Sequence, residues 1–259
     1  MRGISETIRQ KFGKLVSLLK EDLDRDNGLY WNLSFHDGRV RDQSHWCGER
    51  RWNERRWIEY GNFHFNLLSE YIRTWAGPDY LQSLRSGTAL EWGCGGGANV
   101  RVLCHHFAHV YGVDISRPTL AECERQITRF GFQNFKTVLL RSEDPEALLK
   151  RREEESIDCV LSVAVFQHFP SKAYSQRVLH VIERLMKKGA CALIQVRYFD
   201  GSEKLRQKYD DYAKNVIHMT SFTFEEFSHQ LSDAGLTLIH SERGRDDPQD
   251  CHEYYFVRK

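Results

Sequence analysis

Thr88-Ala-Leu-Glu91-Trp92 runs straight into Gly93-Cys94-Gly95-Gly96-Gly97-Ala98, and a helix-length segment later Val110-Tyr-Gly-Val-Asp114 follows. The reading of this stretch decides the fold. An apolar strand meets four glycines within five residues, and a second apolar strand ends in a carboxylate. Glycines at such a junction let the backbone turn sharply and let a ligand approach bare main chain. An acidic side chain roughly 20 residues on can accept hydrogen bonds from a ribose diol. Together they describe a nucleoside-bearing cofactor lying across the carboxyl ends of two parallel strands.

Downstream, strand and helix signals alternate. Strands are expected at 88–92, 109–113, 135–140, 157–163 and 190–197, and helices at 97–107, 117–130, 144–151 and 171–187. This alternation implies parallel strands with right-handed crossovers, hence an α/β, doubly wound sheet. The last part differs. Helical stretches at 202–215 and 223–234 precede two strands, Leu236–Ser241 and Glu253–Val257, and the polar loop Arg243–Asp250 between them is too short to hold a crossover helix. The final pair should therefore be antiparallel.

Upstream, Ile4, Ile8, Leu15, Leu19 and Leu23 form the apolar stripe of a helix over 4–23, and Asp26-Asn27-Gly28 reads as a turn. Residues 30–61 carry Trp31, Trp46, Trp52 and Trp57 and the arginine pairs Arg50-Arg51 and Arg55-Arg56. Residues 63–76 read as helix, ending at Ala76-Gly77-Pro78. The chain thus divides into an N-terminal helical, tryptophan-rich segment, 1–84, and a cofactor domain, 85–259.

With 41% hydrophobic residues among 259, the chain can build a sizeable core, and a net charge of +1 gives no global pull toward nucleic acid or anionic membrane. No apolar run approaches the roughly 18 residues of a membrane span, and the N-terminus lacks an apolar signal core. The seven cysteines are scattered without framework spacing. They suit buried free thiols in a reducing compartment, so the expected location is cytoplasmic, without membrane association. Cys104-His105-His106 are adjacent, and adjacent helical side chains diverge, which argues against zinc there.

Gly93 to Ala98 also satisfies the dinucleotide fingerprint, and an NAD-dependent oxidoreductase is one reading. Three features point elsewhere. Glu91 stands two residues before Gly93, where a carboxylate would be repelled by a pyrophosphate but is comfortable beside a cationic cofactor. The chain closes with an antiparallel hairpin and not a second nucleotide-binding half. The fourth strand is followed by Ser162-Val-Ala-Val-Phe-Gln-His168-Phe-Pro170.

At these residues the sequence resembles the class I S-adenosylmethionine-dependent methyltransferases. The likeness covers roughly residues 85–259 and includes the acidic glycine loop, the acid ending strand two, Asp158–Phe169, and Leu185-Met-Lys-Lys-Gly189, similar to the family's turn before strand five with Lys188 where proline is common. The resemblance implies a seven-stranded, mostly parallel sheet of order 3-2-1-4-5-7-6 with strand seven antiparallel, and S-adenosyl-L-methionine as cofactor. It further implies that Gly93, Cys94, Gly95 and Gly97 line the methionine end, with loop N–H groups facing its carboxylate. Asp114 would bridge the ribose hydroxyls and Ile115 would pack on adenine. Ser142 and Glu143 would meet the adenine amino group, and Ser162, Val163 and Ala164 would close the other side.

Methyl transfer from a sulfonium is an in-line displacement that needs a base only if the acceptor must lose a proton. His168, beyond strand four, is the candidate base; the alternative is a histidine that only packs. Arg197 and Tyr198 follow strand five on the same edge as candidate acceptor contacts. The segment after strand four lacks the Asn/Asp-Pro-Pro-Tyr/Phe turn of nucleobase amino-methylating relatives, no Pro-Cys dipeptide occurs, and no acidic cluster for a metal stands there. The favoured acceptor is a small molecule or glycan, methylated on oxygen or nitrogen without metal. Trp46, Arg51, Trp57, Tyr60 and His64 suit a lid over the substrate. Alternatively Trp46, Trp52 and Trp57 are core anchors, with Arg50–Glu54 and Arg55–Glu59 pairs outside. Residues 202–222 form a second wall or a cover helix. Acids interleaved with these arginines disfavour a nucleic-acid platform. A catalytically silent scaffold engaging a partner through residues 1–60 remains the competing class, and the helix at 4–23 either covers the domain or pairs with a second copy as a homodimer.

Overall fold

The computed structural model describes residues 23–151, 154–208, 211–216, 219–244 and 252–259. Seven strands, β1 (Thr88–Trp92), β2 (His109–Asp114), β3 (Phe135–Leu139), β4 (Ile157–Ser162), β5 (Met186–Arg197), β6 (Thr237–Arg243) and β7 (His252–Arg258), form one sheet of order β3-β2-β1-β4-β5-β7-β6. β1 pairs in parallel with β2 and β4, β2 with β3, and β4 with β5, whereas β7 runs antiparallel to both β5 and β6. This is the sheet expected for class I methyltransferases.

The strand periodicity divides the core in two. Ala89, Cys159, Leu161, Cys191, Leu193, Tyr254 and Phe256 point to one face; Leu90, Val160, Ala192, Ile194, Tyr255 and Val257 point to the other. Both faces are apolar because helices cover both. The first takes α1 (Glu54–Trp75), α2 (Ala98–His106) and α3 (Arg117–Arg129), through Leu68, Ile72, Val100, Leu103, Cys123 and Ile127. The second takes α4 (Lys172–Leu185) and α5 (Phe224–Asp233), through Val178, Leu179, Ile182, Phe227 and Leu231.

The helix starts are written locally. Asn53, Ser116 and Ser171 accept backbone N–H bonds at the heads of α1, α3 and α4, and Thr223 and Glu226 form a reciprocal capping box on α5. Each such cap contributes about 1 kcal/mol. α1 crosses α2 so closely that a Cβ on Gly61 would stand 2.2 Å from the Ala98 carbonyl oxygen. Glycine is what allows this contact.

Several expectations are corrected. Asp26-Asn27-Gly28 is not a turn: residues 23–32 are helical. Gly28 instead permits close approach to Ser142, whose Oγ would lie 2.5 Å from an added Cβ, and buried Asn27 lies 2.7 Å from the Tyr212 hydroxyl. Tertiary contact overrides the local turn signal. α1 begins at Glu54, not near 63. Residues 144–151 supply only a 3-10 turn, Pro145–Leu148, and the described residues of 202–215 only Glu203–Leu205 and Tyr212–Asn215. β5 starts at Met186, which pairs with Ile157, so Leu185–Gly189 is mostly strand. The expected helix over 4–23 lies outside the described residues apart from Leu23. Among the described residues no helix is long and apolar enough to cross a membrane. Cys47, Cys94, Cys104, Cys123, Cys159 and Cys191 are free, and all but Cys47 are buried.

Candidate active site

At the carboxyl edge of β1, β2 and β4 lies a cavity partly open to solvent. Glu91, Gly93, Cys94 and Gly95 form its floor at β1, Asp114 and Ile115 line it from β2, and Val163, Ala164 and His168 line it from β4. Asn27, Trp31, Ser44, His45 and Tyr60 reach over it from the N-terminal segment. Open α/β sheets bind ligands at this edge, where strand order reverses. Here the reversal falls between β1 and β4.

The N–H groups of the glycine loop are engaged within the protein. Gly93 and Cys94 donate to the Val113 carbonyl, Gly95 to Asp114, Gly96 to the Ser44 carbonyl at 2.7 Å, and Gly97 to the Cys94 carbonyl. The loop is closed so tightly that a Cβ on Gly96 would stand 2.4 Å from the His45 carbonyl oxygen. Gly97 heads α2 in a left-handed conformation and faces Cys123 and Ile127, outside the cavity lining.

Two carboxylates face the cavity. Asp114 accepts from Gly95 N–H at 3.1 Å and from Ser116 N–H at 2.9 Å. Burial raises its pKa above the usual carboxylate value, and those N–H bonds oppose the rise. Glu91 accepts from Asn99 Nδ2 at 2.7 Å through Oε1, while Oε2 is buried without a hydrogen-bond partner. Burial pushes the Glu91 carboxyl well above its usual range. A buried, half-satisfied carboxyl beside a cavity is arranged for a cation.

At the end of β4, Ala164 takes a left-handed φ of 58°, unusual for a residue with a Cβ, and donates its N–H to Gln195 Oε1 at 2.8 Å. Strain of this kind concentrates at functional sites. His168 donates Nδ1–H to the Val216 carbonyl at 2.8 Å, and its ring meets Trp31 edge-on at 4.9 Å. Burial lowers its pKa to about 4, so near neutral pH it is an uncharged imidazole with Nε2 carrying the lone pair.

Other expected site residues lie elsewhere. Ser142 and Glu143 line an adjoining cleft with Arg25 and Arg117 that shares Ile115 and Leu140 with the main cavity. Ser162 is buried and donates to the Trp92 carbonyl, tying β4 to β1. Trp46 donates to Thr119 and Arg51 pairs with Asp42 at 2.6 Å. Trp57 is fully buried, stacked on Phe130, with Nε1 donating to the His45 carbonyl. It is a core anchor, as are the buried Trp52 ring and, outside, the Arg55–Glu59 pair. Glu54 pairs with Arg129 instead of Arg50. Arg197 reaches the Lys204 carbonyl, and Tyr198 lies under the Arg243 guanidinium. His64 is buried against Tyr60 and Tyr254. Of the expected lid residues, only Tyr60 lines the cavity.

Sequence reasoning missed Asn27, Gln43, Ser44, His45 and Asn99, all cavity-lining. Asn99 was within reach: it stands eight residues after Glu91, on the first turn of the helix the glycines lead into. The others enter through tertiary contact and carry no local signal. His45 has a left-handed φ of 57°, and its ring packs on Trp52 and Tyr60.

Residues 90–194 match the family described as methyltransferase domain. No curated protein matches the chain. Among solved structures, a SAM-dependent methyltransferase from Methanosarcina mazei is similar at 18% identity, covering 70% of this chain and 95% of its own, with a TM-score of 0.55. The phosphoethanolamine N-methyltransferase 2 of Haemonchus contortus, solved in complex with S-adenosyl-L-methionine, is 16% identical, covers 91% of this chain and 60% of its own, with a TM-score of 0.62. A complex of the Haloferax volcanii Trm112 methyltransferase activator with a putative methyltransferase gives 15% identity, 78% and 96% coverage and a TM-score of 0.52. The sheet order and the acid-flanked glycine loop give this chain the fold of the class I S-adenosylmethionine-dependent methyltransferases, and residues 90–194 match the methyltransferase domain.

Proposed function

We propose that the protein transfers the methyl group of S-adenosylmethionine to an oxygen or nitrogen of a small acceptor, a small molecule or a saccharide, without a metal. The observation that carries this reading is the single cavity in which Glu91, Asp114 and His168 converge beneath the aromatic rings of Trp31 and Tyr60. The cofactor fits the residues present. Asp114 keeps lone pairs for a ribose diol after taking two backbone N–H bonds. The unpartnered Glu91 Oε2 suits a neighbouring positive charge, and Ile115 and Leu140 offer an apolar bed for a base. When bound, S-adenosylmethionine supplies an electrophilic methyl on a sulfonium.

The chain's own residues do the rest. The strap of Asn27, Trp31, Ser44 and His45 covers the cavity and excludes water from the displacement. The loop closure through Ser44 fixes the floor, so the site is preorganised. His168 Nε2 takes a proton from an acceptor hydroxyl or ammonium, and the Val216 carbonyl orients the ring for it. The side chains lining the cavity include two carboxyls and, among the described residues, no lysine or arginine. That charge pattern favours an uncharged or cationic acceptor over one bearing phosphate or carboxylate.

The test has two stages. Thermal unfolding with S-adenosylhomocysteine at about 100 times its dissociation constant should raise stability by roughly 2.7 kcal/mol; a rise with NAD alone overturns the reading. Label from methyl-labelled S-adenosylmethionine should then appear in neutral or cationic products of a metabolite extract, with EDTA present. Tight cofactor binding with no transfer to any fraction would favour the scaffold reading.

A further inference from the structure

A chain of buried polar groups that the methyl-transfer account does not use runs behind the cavity wall. Gln195 on β5 accepts the Ala164 N–H through Oε1 at 2.8 Å and donates Nε2 to the Tyr254 hydroxyl of β7, also at 2.8 Å. The Tyr254 hydroxyl in turn lies 3.3 Å from His64 Nε2 on α1. Gln195, Tyr254 and His64 are 1%, 0% and 0% exposed, so none of them touches a ligand or bulk water.

The direction of each bond follows from chemistry. An amide that accepts at Oε1 can only donate at Nε2. The hydroxyl that receives this donation can pass its own proton to an imidazole nitrogen carrying a lone pair. Burial holds His64 neutral, with its pKa lowered to about 3, so such a nitrogen exists. The groups therefore lead from the Ala164 wall of the cavity back to α1.

We propose that Gln195, Tyr254 and His64 are positioning residues that hold the Ala164 turn in its left-handed conformation for the cofactor. The proposal rests on the reading that the cavity binds S-adenosylmethionine. A left-handed alanine is strained by itself and persists only where its surroundings over-determine it. The bond to Gln195 is the fixed partner that does so. It draws the Ala164 N–H toward β5, and in a trans peptide the Val163 carbonyl then points the opposite way, toward the side where β1 gives onto the glycine loop. Val163 and Ala164 both line the cavity. The carbonyl so presented is an acceptor for an ammonium, the group that the methionine end of the cofactor carries. Without Gln195 the peptide is free to flip and present an N–H there.

The experiment is a double-mutant cycle on the full chain with Gln195→Met and Tyr254→Phe, reading S-adenosylhomocysteine affinity by calorimetry beside the unfolding temperature. Tyr254→Phe keeps the ring in the core and removes only the hydroxyl that orients the amide. We expect about five- to tenfold weaker binding in each single variant, and a double variant no worse than Gln195→Met alone, because both remove the same constraint. Gln195→Glu, which can still accept the Ala164 N–H, should recover most of the affinity. A control, Phe256→Leu in the same core, should lower the unfolding temperature while leaving affinity unchanged. Wild-type affinity in Tyr254→Phe and Gln195→Met, or losses that track unfolding temperature in all five variants, overturns the positioning role. If Gln195→Met does not fold, Tyr254→Phe decides alone. Failure of the wild type to bind S-adenosylhomocysteine would instead remove the cofactor reading, so the two failures are distinct.

Discussion

Asp114 and Gly95 are joined across the two strand ends by a hydrogen bond from the Gly95 N–H to Oδ2, 3.1 Å long. The carboxylate that the sequence assigns to a sugar thus also fastens the loop beneath it. Asp114→Ala removes both functions. It should weaken S-adenosylhomocysteine binding at least about tenfold, the loss of one charge-assisted interaction. Titration calorimetry reads this directly, and unchanged affinity would show that Asp114 serves the loop only.

Glu91→Gln offers a finer probe. The substituted amide can still accept from Asn99, so the fold should hold. What it loses is the capacity to hold a negative charge at the buried Oε2 position beside a bound cation. S-adenosylmethionine carries a sulfonium and S-adenosylhomocysteine does not, so the substitution should weaken the first more than the second by about three- to tenfold. Equal loss for both ligands would place Glu91 away from the sulfur.

His168→Gln tests proton transfer. Glutamine can keep the bond to the Val216 carbonyl while lacking a basic nitrogen. Turnover should fall by about two orders of magnitude or more, with cofactor affinity retained. Full turnover would reduce His168 to a packing residue.

Gly61→Ala tests the crossing of α1 and α2. A methyl group 2.2 Å from the Ala98 carbonyl oxygen must force the helices apart. The cost should be about 1–3 kcal/mol, read as a drop of roughly 2–4 °C in melting temperature per kcal/mol. An unchanged melt would mean that the helices separate freely there.

Three enclosed histidines predict acid sensitivity. Burial lowers His45 and His64 to about 3 and His168 to about 4. Above about pH 6.5 these imidazoles are neutral folded or unfolded and cost nothing. As pH falls from there toward 4, the unfolded chain takes up protons that the native state refuses, and stability is lost by up to about 1.4 kcal/mol per pH unit for each histidine. Urea midpoints measured from pH 7 to 4.5 should fall, and His64→Gln should make the fall shallower. An identical slope in that variant would assign the acid loss to other groups.

The sheet was legible because its signals are local. Ala89 and Leu90, or Leu193 and Ile194, alternate between two apolar faces, and the glycines of 93–97 mark the first crossover without help from distant residues. The floor of the site followed from the same stretch. The roof did not. Ser44 and His45 reach the glycine loop through main-chain carbonyls, and no side-chain pattern announces a carbonyl contact. The tryptophans misled for a related reason: Trp57 looks like a lid residue in sequence, yet its indole is the buried pillar on which the His45 carbonyl rests. Gly28 carried a turn signal whose true cause was the Ser142 side chain more than a hundred residues away.

The Ser44 carbonyl latches onto Gly96, at the innermost bend of the nucleotide crevice, and not onto the outer helices. One short piece of chain thus both lines the cavity and braces the glycine loop beneath it. If residues 40–53 contact the acceptor as proposed, exchanging them to suit a new one would also disturb the cofactor floor, because the same piece of chain holds the Gly96 bend.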